Sequence, residues 1–156
     1  MCPLKGGAAR NGDDGDDMNL TGDVFYAFNS TLDIAIVIDG TFSSSEFSTI
    51  RSCLVSFADR FYVSSTLTRF AVVQFSQSQS TTFNFARYSA NMALRTALSS
   101  LQQQSRGGVR DLGAALQYTY DRVFVGQARS NAAWVCSFFI IRYDDKKLSC
   151  RCLYCS

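Results

Sequence analysis

Leu32-Asp-Ile-Ala-Ile-Val-Ile-Asp39-Gly-Thr-Phe-Ser43-Ser-Ser45 is the stretch from which the fold can be read. An apolar run of strand length stops at the carboxylate of Asp39 and passes through Gly40 into hydroxyl residues. Ser43 with Glu46 then forms a capping box that opens the next apolar periodicity. The order is strand, loop, helix. In an open parallel sheet, ligands bind at the loops leaving the carboxyl ends of the strands, so Asp39, Thr41 and Ser43 converge at the expected site. All three offer hard oxygens, which suit Mg²⁺ or Mn²⁺ better than zinc.

Working outward, Phe47, Ile50, Leu54, Phe57 and Phe61 recur at helical spacing and predict a helix over 46–62. The β-rich run at 69–75 completes a right-handed βαβ unit with the first strand. After a short polar linker, 81–85 is expected to return antiparallel as an edge strand. A helix over 91–103 presents Leu94, Ala97, Leu98 and Leu101. Another over 111–124 presents Leu112, Ala115, Leu116, Thr119 and Val123, and the loop leading into it should lie near Asp39. The continuous apolar run at 135–141 suits a buried strand on the other side of the first. The fold class is therefore α/β, with the element order β-α-β-β-α-α-β.

Three regions are expected. Residues 1–31 form a mobile, Gly-rich acidic segment, because Asp13, Asp14, Asp16 and Asp17 repel one another. Residues 32–141 form the folded domain. Residues 142–156 are polar and Cys-rich, with no periodicity. A sharper reading of the first region is a calcium loop at Asp17-x-Asn19-x-Thr21-Gly22, but its twelfth position is Phe28 where a bidentate Glu is needed.

Asp39-Gly-Thr-Phe-Ser43 resembles the Asp-x-Ser-x-Ser metal motif of von Willebrand factor type A domains, with Thr41 in place of the first Ser. Asp33-Ile-Ala-Ile-Val-Ile38 and Phe70-Ala-Val-Val-Gln-Phe-Ser76 are most similar to the inserted (I) domain of integrin α subunits, the leukocyte type in particular. The resemblance covers about Leu32 to Val135. It implies a Rossmann-like, doubly wound, mostly parallel sheet of strand order 3-2-1-4, with the order above as its first half, so that the chain is a truncated domain without the last strands and the C-terminal helix. That helix transmits the integrin affinity change.

The resemblance also implies a metal ion-dependent adhesion site. In the family, Mg²⁺ is held by the motif, by a Thr before the third helix and by an Asp at the end of the fourth strand. One coordination place stays open for an acidic residue of the ligand. Asp39, Thr41 and Ser43 carry over. Counting back from Ala115 and Leu116 puts Arg110 at the metal-binding Thr, and a guanidinium cannot ligate a cation. It could occupy the cation's place and pair with Asp39. A register shifted by one offers Asp111. Matching Asn131-Ala-Ala-Trp-Val135 puts the expected Thr-Asp at Ile140-Ile141, and Asp144 or Asp145 would have to swing back to replace that carboxylate.

Plainer roles stand beside these. Asp39 could be a loop carboxylate satisfied by backbone N–H groups, Thr41 and Ser43 could turn the chain and cap the helix, and Arg110 could be a solvated loop charge. Trp134 reads as the edge of the core.

Composition narrows the function. The apolar fraction of 47% is that of a globular chain, and a net charge of +2 from scattered basic residues points to neither nucleic acid nor an anionic membrane. No stretch reaches the roughly 18 apolar residues of a membrane span, and the N-terminus has no apolar signal core. The sequons at Asn19 and Asn29 matter only in the secretory pathway, to which the resemblance also points. Of the six cysteines, Cys53 and Cys136 lie in apolar periodic segments and read as buried thiols. Cys150, Cys152 and Cys155 could hold metal or disulfides, but they lack a partner pair at finger spacing and the chain has no His.

Catalysis is not expected. Ile38-Asp-Gly-Thr41 is similar to the first motif of haloacid-dehalogenase-type phosphatases, but Val37 stands at the nucleophile's position. The function implied by the resemblance is cell-adhesion-type binding of an extracellular matrix or cell-surface protein through an acidic residue. An integrin β subunit is a further partner if this is part of a longer chain. The alternative is a scaffold whose metal site is degraded and which binds no ligand by itself.

Overall fold

The computed structural model describes residues 31–104, 110–144 and 147–155, with side chains described as far as residue 138. The acidic N-terminal segment, its possible calcium loop, both sequons and Asp145 lie outside the described residues. Five strands form a single sheet: β1 (Leu32–Asp39), β2 (Thr68–Phe75), β3 (Gln79–Phe83), β4 (Ala133–Asp144) and β5 (Lys147–Cys155). Among the described residues three helices accompany them: α1 (Ser44–Ala58), α2 (Asn91–Ser99) and α3 (Leu112–Thr119), the last running on through a π-helical turn at Tyr120–Phe124.

The strands lie in the order β3-β2-β1-β4-β5, which contains the expected 3-2-1-4. β1 pairs in parallel with β2 and with β4, while β3 and β5 are antiparallel additions at the two edges. Residues 142–144 continue β4, and Lys147–Cys155 folds back on it. Expected to be without periodicity, the stretch does alternate, with Leu148, Cys150 and Cys152 between Lys147, Ser149 and Arg151, and it pairs along the outer edge of β4.

Residue size separates the two faces of the central strands. Ile34, Ile36 and Ile38 pack with Phe70 and Val72 beneath α1 and α2. Ala35, Val37, Ala71 and Val73 form the other face, where their small size lets Ala115 of α3 approach closely. Ile34 lies opposite Phe70, and Ala35 opposite Ala71.

Helix ends differ from the apolar periodicity. α1 stops at Ala58, although Phe61 continues the pattern; after the turn at Asp59 and Arg60, Phe61 packs edge-on against Phe57 and Phe70. α2 stops at Ser99, where the Ser99 and Ser100 hydroxyls both donate to the Thr96 carbonyl. Leu112, expected on the apolar face of α3, is 48% exposed at the first turn. Gly126, at φ +84°, turns the chain after the π-helical turn in a conformation that disfavours any residue with a Cβ.

Cys136 is a buried thiol, as expected. Cys53 is not: it is half-buried at the margin of the apolar face of α1 and is disulfide-bonded. Trp134 edges the core, stacked on Phe124 at 5.5 Å with its indole N–H donating to the Arg129 carbonyl.

Candidate functional site

β1 delivers Asp39 to the carboxyl end of the sheet, where it is 5% exposed. One carboxylate oxygen, Oδ1, accepts from the Thr41 backbone N–H at 2.8 Å and from the Thr41 hydroxyl at 2.7 Å. This short loop bends back on its own aspartate. The other oxygen, Oδ2, lies 3.0 Å from Nε of Arg110, and the same Nε donates to Thr41 Oγ1 at 2.8 Å. The Arg110 guanidinium carbon is 5.7 Å from the centre of the Phe42 ring. Asp39, Thr41 and Arg110 thus form one connected unit, and Arg110 arrives from the segment leading into α3.

Ser43 is placed otherwise. It is the N-cap of α1, its hydroxyl accepting from the Glu46 N–H and donating to the Glu46 carboxylate at 2.8 Å, while its own N–H donates to Glu46 at 2.7 Å. The remaining contact of that hydroxyl is Ser45, 3.1 Å away. Asp111 caps α3, accepting from the Ala114 N–H at 2.8 Å. Ile38 pairs with Phe139, so Asp144 lies five residues beyond that level, at the hairpin end of β4. At about 3.3 Å per residue its backbone is roughly 16 Å up the strand, too far to return a carboxylate to Asp39.

Glutamines that carry no sequence signal hold the loop. Because α2 ends early, residues 102–104 cross the ends of β1 and β2. The Gln103 side-chain amide donates to the carbonyls of Gly40 and Phe42 at 2.8 and 2.6 Å, holding both sides of Thr41. Gln74, buried at the end of β2, donates to the Gln102 carbonyl at 2.9 Å and accepts from the Gln104 N–H at 3.1 Å. Beside Gly40 opens a polar cleft of about 190 Å³, lined among others by Gln74, Ser76, Ser80 and Gln104.

As folded, this donor set does not fit a divalent ion. Of Asp39, Thr41 and Ser43, Asp39 alone carries a carboxylate, both its oxygens are engaged, the Thr41 hydroxyl already donates to Asp39 and accepts from Arg110, and the Ser43 hydroxyl serves the Glu46 carboxylate. An ion beside Asp39 would lie against a permanent positive charge. Among the described residues there is no group of three or more His, Cys, Asp or Glu that could hold a metal.

A βαβ unit with a pinned loop after its first strand, closed by a residue preceding α3, defines a class. The von Willebrand factor type A domain family matches residues 33–147, and the chain belongs to that family. Among particular relatives, vitrin of Mus musculus is 31% identical over 97 residues, covering 61% of this chain and 15% of vitrin. Proximal thread matrix protein 1 of the mussel byssus shares the fold, with a TM-score of 0.64 at 17% identity over 70% of this chain and 30% of that one. A second structure of the byssus protein, with a zinc-occupied MIDAS motif, gives a TM-score of 0.63 at 24% identity over 72% of this chain and 29% of that one. This chain therefore spans under a third of the length of these relatives. No helix among the described residues is long and apolar enough to cross a membrane.

Proposed function

We propose that this chain is an adhesion-type protein-binding module, and that the loop face around Asp39, Thr41 and Arg110 is its binding face. Members of the family are typically binding modules and not enzymes. The observation that carries the proposal is the built state of this loop: Gln103 fixes its carbonyls while Arg110, 62% exposed, lies across it. A fixed loop presenting an exposed arginine, its guanidinium backed by the buried ring of Phe42, offers the kind of Arg anchor around which interface hot spots form.

The setting we propose is extracellular or at the cell surface, with a matrix or cell-surface protein bearing an acidic residue as partner. The disulfide of Cys53 supports it, since such bonds persist mainly in oxidising compartments. The finer likeness to integrin I domains, and with it an integrin β subunit as a neighbour in a longer chain, belongs to the same proposal. Magnesium or manganese dependence does not, for the reason given by Arg110.

The test is binding of the purified chain to decellularised connective-tissue matrix, comparing Arg110→Glu with Arg122→Glu, an exposed arginine beyond the far end of α3. The expected result is saturable binding that Arg110→Glu weakens about tenfold or more and Arg122→Glu leaves unchanged. Equal binding by all three proteins would move the binding face elsewhere. Absence of binding in the unmodified chain would favour the second reading, a scaffold whose site is closed by the Arg110–Asp39 pair.

A further inference from the structure

We infer that Arg110 acts as a resident cation, taking the place of the divalent ion and offering its own terminal nitrogens to a ligand carboxylate, so that recognition by this chain is independent of metal. The inference rests on the binding face proposed above and adds its chemistry. Asp39 and Thr41 engage only Nε of the guanidinium, at 3.0 and 2.8 Å. Neither Nη1 nor Nη2 hydrogen-bonds to a described residue, and the side chain is 62% exposed.

A guanidinium held at its Nε edge still presents the two parallel N–H bonds of its outer edge. That edge matches the spacing of carboxylate oxygens and forms charge-assisted, bidentate pairs. Arg110 can thus link Asp39 on one side, through Nε, to a ligand carboxylate on the other. Phe42 flanks the group, and Gln103 holds the carbonyls on either side of Thr41, so little ordering remains for binding to bring about. The cleft beside Gly40, lined by amide and hydroxyl groups, suits the polar backbone on either side of an acidic residue in an extended segment. Because Asp39 already neutralises part of the charge, affinity for one isolated carboxylate should be modest, with a dissociation constant on the order of 1 mM.

The test is an NMR titration of the ¹⁵N-labelled chain in EDTA at constant ionic strength, following the Arg110 Nε–H and Thr41 amide resonances. The probes are sodium acetate and a blocked Gly-Glu-Gly peptide, with blocked Gly-Gln-Gly as the uncharged control. The expected result is saturable shifts with acetate and the Glu peptide, none with the Gln peptide, and no change on replacing EDTA by Mg²⁺. Arg110→Thr, shown to be folded by its retained amide dispersion, should bind the Glu peptide about tenfold more weakly or worse, and Arg110→Lys should fall between. Shifts that require Mg²⁺, equal binding of the Gln peptide, or undiminished binding by Arg110→Thr would overturn the inference. Matrix binding that depends on Arg110 without any carboxylate-induced shift would sink this inference and leave the binding-face reading standing. Carboxylate shifts without matrix binding would do the reverse.

Discussion

Asp33 and Asp39 stand near opposite ends of β1, on the same face of the sheet, and each meets arginine. Asp33 is wholly buried and closed on every side. Arg69 donates to it through Nε and Nη2 at 2.8 and 2.7 Å; Arg129 donates through its backbone N–H at 2.7 Å and through Nη2 at 2.8 Å. The rest of the Arg129 fork is taken up by the carbonyls of Ser65, Leu32 and Leu67. Asp39 has one arginine, held by one nitrogen, with the remainder facing solvent. A saturated, buried ion pair has no valence left for a ligand, so the Asp33 end is structural. The open pair at the other end can accept one.

If that contrast holds, the two ends should respond to substitution on different scales. Arg129→Ala removes a partner from a buried carboxylate and should cost about 3–5 kcal/mol of folding stability, read by urea unfolding. A loss below about 1 kcal/mol would mean that the Asp33 network is not the anchor described.

Acid provides the next test. Burial alone would raise the Asp33 pKa, but the hydrogen bonds from Arg69 and Arg129 outweigh it and hold the carboxyl below its usual value. A lowered folded-state pKa contributes stability that is fully present above the unfolded value of about 3.9 and is lost as pH falls through the folded value. The unfolding free energy should therefore decline below about pH 4, and the decline should be shallower in Arg129→Ala. Identical acid slopes in the two proteins would break the assignment.

Ser43→Ala should cost about 1 kcal/mol through loss of the α1 cap while leaving carboxylate shifts at Arg110 unchanged, since its hydroxyl serves Glu46. Arg110→Ala should be the smallest in stability, about 1 kcal/mol or less for a largely exposed partner, and the largest in binding.

Much of this was legible in the sequence. The run from Leu32 to Asp39 and the spacing of Phe47, Ile50 and Leu54 show the βαβ unit because burial on two faces forces continuous apolar strands and one-sided helices. Matching Ala115 and Leu116 to the family's third helix and counting back singles out Arg110, the residue that the structure sets against Asp39. The partners of Asp33 could not be found this way: Arg69 and Arg129 lie 36 and 96 residues off, and a charge pattern carries no information on pairing at that distance. Gln103 was hidden for a different reason. Its neighbours continue a helical apolar pattern through Leu101, and only the serine hydroxyls that end α2 release it to cross the site. The disulfide of Cys53 was likewise unreadable, because sulfur bonding leaves no periodic trace, whereas β5 left a short alternation of Leu148, Cys150 and Cys152 that the cysteine clustering obscured.

The central claim is that Arg110 stands where the family places a divalent ion. Its most direct test is calorimetric titration of the unmodified chain with Mg²⁺ and Mn²⁺, with Asp39→Ala as the control. The account predicts no saturable heat from the unmodified chain with either ion. Saturable binding that disappears in Asp39→Ala would contradict it, and would mean that the arginine gives way to metal.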